Sequence, residues 1–333
     1  MAVIIVQAGE SINAAIASAS PGDTIRVAKG VFHENVVVPS GKDRLRILGA
    51  GQGKTILDGA PVAGVQGFQV FSDFVTIAGF SVINFDSNGI LLFNNDNIIR
   101  DVEVRNNGNN GILIESGAER NVLYMIRAEN NGDGVEVIGD HNYIVRNELT
   151  GNNRNGMDLS GNNNLVLENR IRVNSSNGIL VSGGTLQMIV YNKIENNGDD
   201  GIDIESDENL ILGNIANRNA SDGIDLSGFM HNLVWNNEVK NNNEDGIDVD
   251  GGDRNRIIGN QVSKSEETGI ELDNDSDQNL VDRNKVKGSG GPGILLTSDA
   301  NDNAVRENKL GGNNPNLQAD PPADANNVFD ENG

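Results

Sequence analysis

A glycine followed by a β-branched or apolar residue returns at a nearly fixed interval along most of this chain: Gly89, Gly111, Gly134, Gly156, Gly178, Gly201, Gly223, Gly246, Gly269 and Gly293. Subtraction gives spacings of 22 to 24 residues. Self-similarity at such a period is the signature of a solenoid, in which each unit buries its apolar face only against its neighbours. After each glycine the residues alternate, as in Gly201-Ile202-Asp203-Ile204-Glu205. A period of two is that of a strand, with Ile202 and Ile204 inward and the acids outward. Hydrophobic residues make up 37% of the chain but aromatics only 4%, so the core is drawn from Ile, Val and Leu, which suit a pleated interior.

A second pattern precedes each such strand. It reads Asn-x-Ile-x-x-Asn-x-Ile, as in Asn164, Val166, Asn169, Ile171 and again Asn232, Val234, Asn237, Val239. The second Asn keeps register at Asn147, Asn169, Asn192, Asn214, Asn237, Asn260, Asn284 and Asn308, and a third follows at Asn152, Asn174, Asn197, Asn219 and Asn242. Asn tolerates left-handed backbone angles and carries both a donor and an acceptor. Stacked copies about 4.8 Å apart would therefore pin sharp corners and bond along the axis. These columns are structural.

The glycines, alternating strands and Asn corners resemble the right-handed parallel β-helix superfamily of pectate lyases, polygalacturonases, epimerases and NosD-like surface proteins, over Ile4 to Leu310. The resemblance implies an all-β, single-domain, three-sheet solenoid. Its Asn corner lies between the second and third sheets, and its first sheet is built from the Gly-Ile strands. Residues 1–30 are expected to form a strand and a capping helix (Ser11 to Ser20, with Ser11 as N-cap), residues 31–310 the coils, and residues 311–333 a polar cap or disordered tail.

Charge narrows the partners. With 48 Asp and Glu against 25 Lys and Arg, the formal charge of −23 repels nucleic acid and anionic membranes and attracts cations, calcium among them. The absence of Cys excludes disulfides and thiolate sites. No apolar run reaches the ~20 residues of a membrane span, and Met1 to Gly9 does not read as a signal peptide. The expectation is a monomer placed outside the cell or at its surface.

Candidate chemistry collects in three places. Outward on the first sheet run Asp203, Asp225 and Asp248, with Asp200, Asp222 and Asp245 just before the glycines. Like charges in adjacent coils call for a bound cation or protonated carboxyls. Arg146, Arg170, Arg172, Tyr191 and Lys193 form a basic cluster on the second and third sheets, suited to an anionic chain and to removing an α-proton. Asp273-Asn274-Asp275-Ser276-Asp277 spaces oxygens like the opening of an EF-hand loop; the later Gly and Glu are missing, so a calcium-binding turn at Asp273, Asp275 and Asp277 is the most it can be. Gly49 to Thr55 imitates a phosphate loop but precedes a strand. His33, His141 and His231 are too scattered for one metal, while Trp235 and Tyr143 are possible sugar-stacking platforms.

Together these features lead to a lyase acting on a uronate polysaccharide with calcium help. Tyr191, Lys193, Asp203, Asp225 and Asp248 would be catalytic; Arg146, Arg170, Arg172, Asp200, Asp222 and Asp245 would bind substrate. The alternatives are a non-catalytic carbohydrate-binding or surface protein, and a hydrolase or epimerase using the acidic ladder. Asn219 to Gly223 and Gly198 to Gly201 look like fragments of the Asn-Thr-Asp and Asp-Asp motifs of polygalacturonases, but they occur in the wrong order, and the Gly-His-Gly and Arg-Ile-Lys segments are missing.

Overall fold

The computed structural model describes residues 1–60, 66–321 and 323–333; residues 61–65 of the coil region and residue 322 of the C-terminal segment lie outside the described residues. The chain forms two compact units, Met1–Leu165 and Val166–Gly333. Each is all-β apart from a short helix and is built from three parallel sheets whose strands are mostly three residues long.

In Val166–Gly333 the first sheet holds the Gly-Ile strands, among them Ile202–Ile204, Ile224–Ser227, Ile247–Asp250 and Ile270–Asp273. They pair in parallel and in register, Ile202 to Ile224, Ile224 to Ile247 and Ile247 to Ile270. Those isoleucines are fully buried, each worth roughly 1.5–3 kcal/mol of apolar burial. The second sheet carries Leu233–Trp235, Arg256–Ile258, Leu280–Asp282 and Ala304–Arg306; the third carries Arg170–Arg172, Lys193–Glu195, Lys285–Lys287 and Lys309–Gly311.

The repeated glycines are dictated by close approach between coils. A Cβ on Gly223 would stand 2.2 Å from Val239 Cγ1 and 2.6 Å from the Gly246 carbonyl oxygen. No other residue fits.

The Asn columns are as expected in place and bonding, with one correction. Asn214 Oδ1 accepts both the Asn192 backbone N–H at 2.9 Å and its Nδ2 at 3.0 Å, and Asn214 passes the pattern on to Asn237. The left-handed residue, however, is the one before each Asn: Tyr191 (φ 54°) before Asn192, Asn236 (φ 52°) before Asn237, Arg283 (φ 55°) before Asn284. The Asn does not supply the bend. It ties down the corner that the preceding residue makes, which explains why so varied a set of residues takes αL there.

In Met1–Leu165, Ser11 caps the helix Ile12–Ser18 by accepting the Ala14 N–H at 3.2 Å. The Glu34 carboxylate accepts the Ile12 N–H at 2.6 Å, a favourable charge at a helix start. Ile12, Ala15 and Ile16 are buried, as a cap over the apolar interior requires. Thr55–Asp58 is a strand, so the glycine-rich stretch before it is a turn. At the other end the coils run past residue 310: Leu317–Ala319 pairs with Ile294–Leu296, and Val328–Asp330 pairs with Ala304–Arg306. Asn332 there continues the Asn column, accepting the Asn308 N–H at 3.1 Å. The segment expected to be a cap or tail is therefore further sheet.

Candidate functional site

The acidic residues of Val166–Gly333 fall into adjoining columns on the first sheet. The column just before the glycines is tied to the backbone. Asp200 Oδ1 accepts the Asp222 N–H at 2.8 Å, Asp222 Oδ1 accepts the Asp245 N–H at 2.6 Å, and Asp245 Oδ1 accepts the Thr268 N–H at 2.5 Å. Asn177 fills the same place one coil earlier, accepting the Asp200 N–H at 3.0 Å. Within Met1–Leu165 the position is held by Asn88, Asn110, Asp133 and Asn155. An amide thus meets the structural need, and three consecutive aspartates add acid where none is required. Burial pushes Asp200 up to about 7 and Asp222 up to about 9. Asp245 is raised by burial and by the Glu271 carboxyl beside it.

The column two residues after the glycines is Asp203, Asp225, Asp248 and Glu271, aligned in register. Burial raises Asp203 to about 8 and Asp248 to about 10, with neighbouring carboxylates adding to both. Asp225 is also raised by burial, but it accepts the Ser227 hydroxyl at 2.6 Å, which favours its ionised form. Asp203 Oδ2 accepts Asn177 Nδ2 at 2.9 Å. The Oδ1 atoms of Asp203, Asp225 and Asp248 are buried and have no hydrogen-bond partner among the described residues. No Lys, Arg, His or Tyr occurs in the first-sheet strands from Ile179 to Leu296. On this lattice of carboxyls burial holds the protons of Asp203, Asp222 and Asp248 well above the ordinary carboxylate range.

The other expected residues sit elsewhere. Arg170 and Arg172 lie on the third sheet with Lys193 beside Arg170 in register. Lys193 Nζ is 2.7 Å from Glu195 Oε2. Tyr191 is at the corner between second and third sheets, 59% exposed and lying over Gly213. Arg146 takes the same kind of corner in Met1–Leu165, with φ 55°, rather than projecting from a strand. The structure therefore brings Arg170, Arg172 and Lys193 together but does not bring Tyr191 or Lys193 to Asp203, Asp225 and Asp248.

Asp273 ends its strand, Asn274 and Asp275 take left-handed angles, and Asp277 accepts the Asn301 N–H at 2.7 Å. Burial and Asp250 push Asp273 up to about 6. Among the described residues no three His, Cys, Asp or Glu side chains gather into a group that could hold a metal.

One concave site escaped the sequence reading. On the second sheet, Leu233, Trp235, Arg256, Ile258, Leu280, Asp282, Arg283 and Arg306 line a cleft of about 360 Å³. Its signal was present but divided: Trp235 stands out alone, while the arginines join it only through the strand register.

Models of the right handed beta helix region match residues 63–181 and 126–233, together more than half of the 333 residues. The chain belongs to the right-handed β-helix family. A second model, that of the periplasmic copper-binding protein NosD, matches residues 198–333 of this β-helix protein. No curated protein matches it in sequence. Among solved structures it is similar to the PL6 family polysaccharide lyase Pedsa3628 from Pseudopedobacter saltans, with 13% identity, a TM-score of 0.66 and coverage of 99% of this chain and 92% of that one. It is also similar to the A-module of the Azotobacter vinelandii mannuronan C-5 epimerase AlgE4, with 14% identity, TM-score 0.58 and coverages of 96% and 88%. The periplasmic alginate epimerase AlgG matches at 15% identity, TM-score 0.58 and coverages of 99% and 83%. At such identities the likeness is one of fold. Among the described residues no helix is long and apolar enough to cross a membrane.

Proposed function

We propose that the first-sheet face of Val166–Gly333 cleaves a polysaccharide by carboxyl acid–base catalysis, and that the reaction is hydrolysis of a glycosidic bond. The observation that carries this reading is the ordering within one column. Asp225 is raised by burial like its neighbours, but the Ser227 hydroxyl donates to it and offsets part of that rise, while Asp203 and Asp248 on either side are raised to about 8 and about 10. Strands in adjacent coils are about 4.8 Å apart, close to the ~5–5.5 Å between the acid and the nucleophile of a retaining glycosidase.

In that arrangement a sugar chain lies along the solenoid axis. Asp203 or Asp248 gives its proton to the glycosidic oxygen as the bond to the anomeric carbon breaks. The Asp225 carboxylate takes up the anomeric carbon as an ester. Water then opens the ester, passing its proton back to the carboxylate that acted as acid.

A second reading is β-elimination from a uronate, favoured by the fold likeness to a polysaccharide lyase and two uronate epimerases. Here a neutral Asp203 or Asp248, or a calcium ion, would offset the sugar carboxylate, and Asp225 with its raised pKa would be the base. Tyr191 and Lys193 stand on other faces and do not serve this site. Both readings place the protein where such glycans occur, outside the cell or at its surface.

The full chain incubated with pectate, alginate and a neutral β-glucan, with calcium and with chelator, separates them. New reducing ends without unsaturated products support hydrolysis; unsaturated products support elimination. Asp225→Asn should lower either activity by at least about 100-fold. No product from any glycan would overturn both and leave a binding or surface role.

A further inference from the structure

The second-sheet cleft uses residues that the carboxyl lattice does not. Its floor is two columns in register: Leu233, Arg256 and Leu280 in one, Trp235, Ile258 and Asp282 in the other, with Arg306 following Asp282. Trp235 is 43% exposed in a strand where its inward neighbour Val234 is fully buried. Leu233, Ile258 and Leu280 are half-buried around it, giving an open apolar bed.

The charged groups of the cleft are unequal. Asp282, almost fully buried, is held by Arg306 Nε at 3.2 Å and Arg283 Nη1 at 3.5 Å. Arg283 also meets Glu307 at 2.7 Å. Those guanidiniums are fixed and largely compensated. Arg256 is exposed and has no ion-pair partner among the described residues. In a chain with nearly twice as many acids as bases, an arginine left without a carboxylate beside an exposed indole is informative. Across Arg283 a second cleft of about 750 Å³ is lined by Gln261, Lys285 and Lys309 on the third sheet.

We infer that this cleft binds a carboxylate-bearing pyranose, that is, a uronate residue of an acidic polysaccharide. A pyranose has one face of C–H groups, which covers an indole and neighbouring aliphatic side chains, and a polar rim. One free guanidinium matches one carboxylate per ring, bound through two parallel hydrogen bonds. The next sugars pass over the Arg283 corner toward Lys285 and Lys309. The inference is independent of the cleavage chemistry, since a chain can be held here whether or not it is cut on the first sheet.

Trp235 is the only tryptophan of the chain, so its fluorescence reports this site alone. Titration of the full chain with trigalacturonate should change the emission saturably, with affinity at least tenfold tighter than for the methyl ester of the same sugar. Arg256→Ala and Arg256→Gln should each weaken binding at least tenfold with an unchanged circular dichroism spectrum. Asp225→Asn should bind as the parent chain does; a parent chain that binds the sugar but cleaves no glycan, or an Asp225→Asn variant that cleaves as well as the parent, would remove the catalytic reading and leave this one. An emission that no sugar alters, equal affinity for acid and ester, an Arg256 variant that binds normally, or tighter binding of an oligodeoxynucleotide would each overturn the inference.

Discussion

The backbone N–H of Asp245 donates to Asp222 Oδ1 at 2.6 Å, the same bond that an Asn accepts at Asn177 and Asn88. Asp222→Asn keeps that acceptor and removes an acid whose pKa burial has pushed up to about 9. The variant should melt at or above the parent temperature at pH 8, where the parent must either ionise a buried group or hold a proton against the solvent. A marked fall in melting temperature at pH 8 would mean that the carboxyl itself, not its acceptor oxygen, holds the coil.

The same shifts set a pH dependence for the whole molecule. A carboxyl whose pKa is higher in the folded state than in the unfolded one binds more protons when folded, so stability falls as pH rises. For Asp203, Asp222 and Asp248 the loss begins above the ordinary carboxylate range near 4 and continues through about 8, 9 and 10. Thermal melts should therefore give a higher midpoint at pH 5.5 than at pH 9. The difference should shrink when Asp203, Asp222 and Asp248 are replaced together by Asn. A midpoint that is flat or rises over this interval would contradict the buried-carboxyl description.

Much of this was legible in the sequence, for a physical reason. In a solenoid every coil meets the same environment, so Gly223, Asn214 and Ile224 recur because each coil imposes the same close approach, the same corner and the same core. What escaped was whatever depends on one coil's difference from the next. The left-handed angle at Tyr191 lies beside the recurring Asn192 in a position that shows no residue pattern at all. Asp222 reads as a surface acid, although its oxygen takes the part of an amide. The Trp235 cleft needs residues from four coils, Leu233 to Arg306, that become neighbours only once the strand register is known. The coil beyond residue 310 was hidden by its prolines and polar residues, while Asn327 and Asn332 already carried the column onward.

Asn214→Ala tests the column itself. The substitution removes the acceptor for the Asn192 N–H and Nδ2 and the donor to the Ile189 carbonyl at 2.8 Å, all in a buried corner. Leaving buried polar groups unpaired costs about 1–3 kcal/mol each. Chemical denaturation should show a loss of at least about 2 kcal/mol, several times that of an exposed Asn such as Asn243→Ala. Equal losses at the two sites would mean that the column contributes nothing beyond a surface contact.

Gly223→Ala probes the coil spacing. Its new methyl group would meet Val239 Cγ1 at 2.2 Å and the Gly246 carbonyl at 2.6 Å, one atom a side chain and the other a backbone oxygen in the next coil. The valine can shift, but the carbonyl can move only with its strand, which is paired in register at Ile224 to Ile247. Overpacking of this kind costs about 1–3 kcal/mol. Gly228→Ala offers a control of opposite cause: nothing lies within 4 Å of its Cβ, but its φ of 73° penalises any side chain. Val239 is fully buried and its own truncation costs stability, so the comparison is made in the Val239→Ala background. There Gly223→Ala should cost less than in the parent but still a measurable amount, because the carbonyl contact persists. No cost of Gly223→Ala in the Val239→Ala background would show that the side-chain clash alone fixes glycine there.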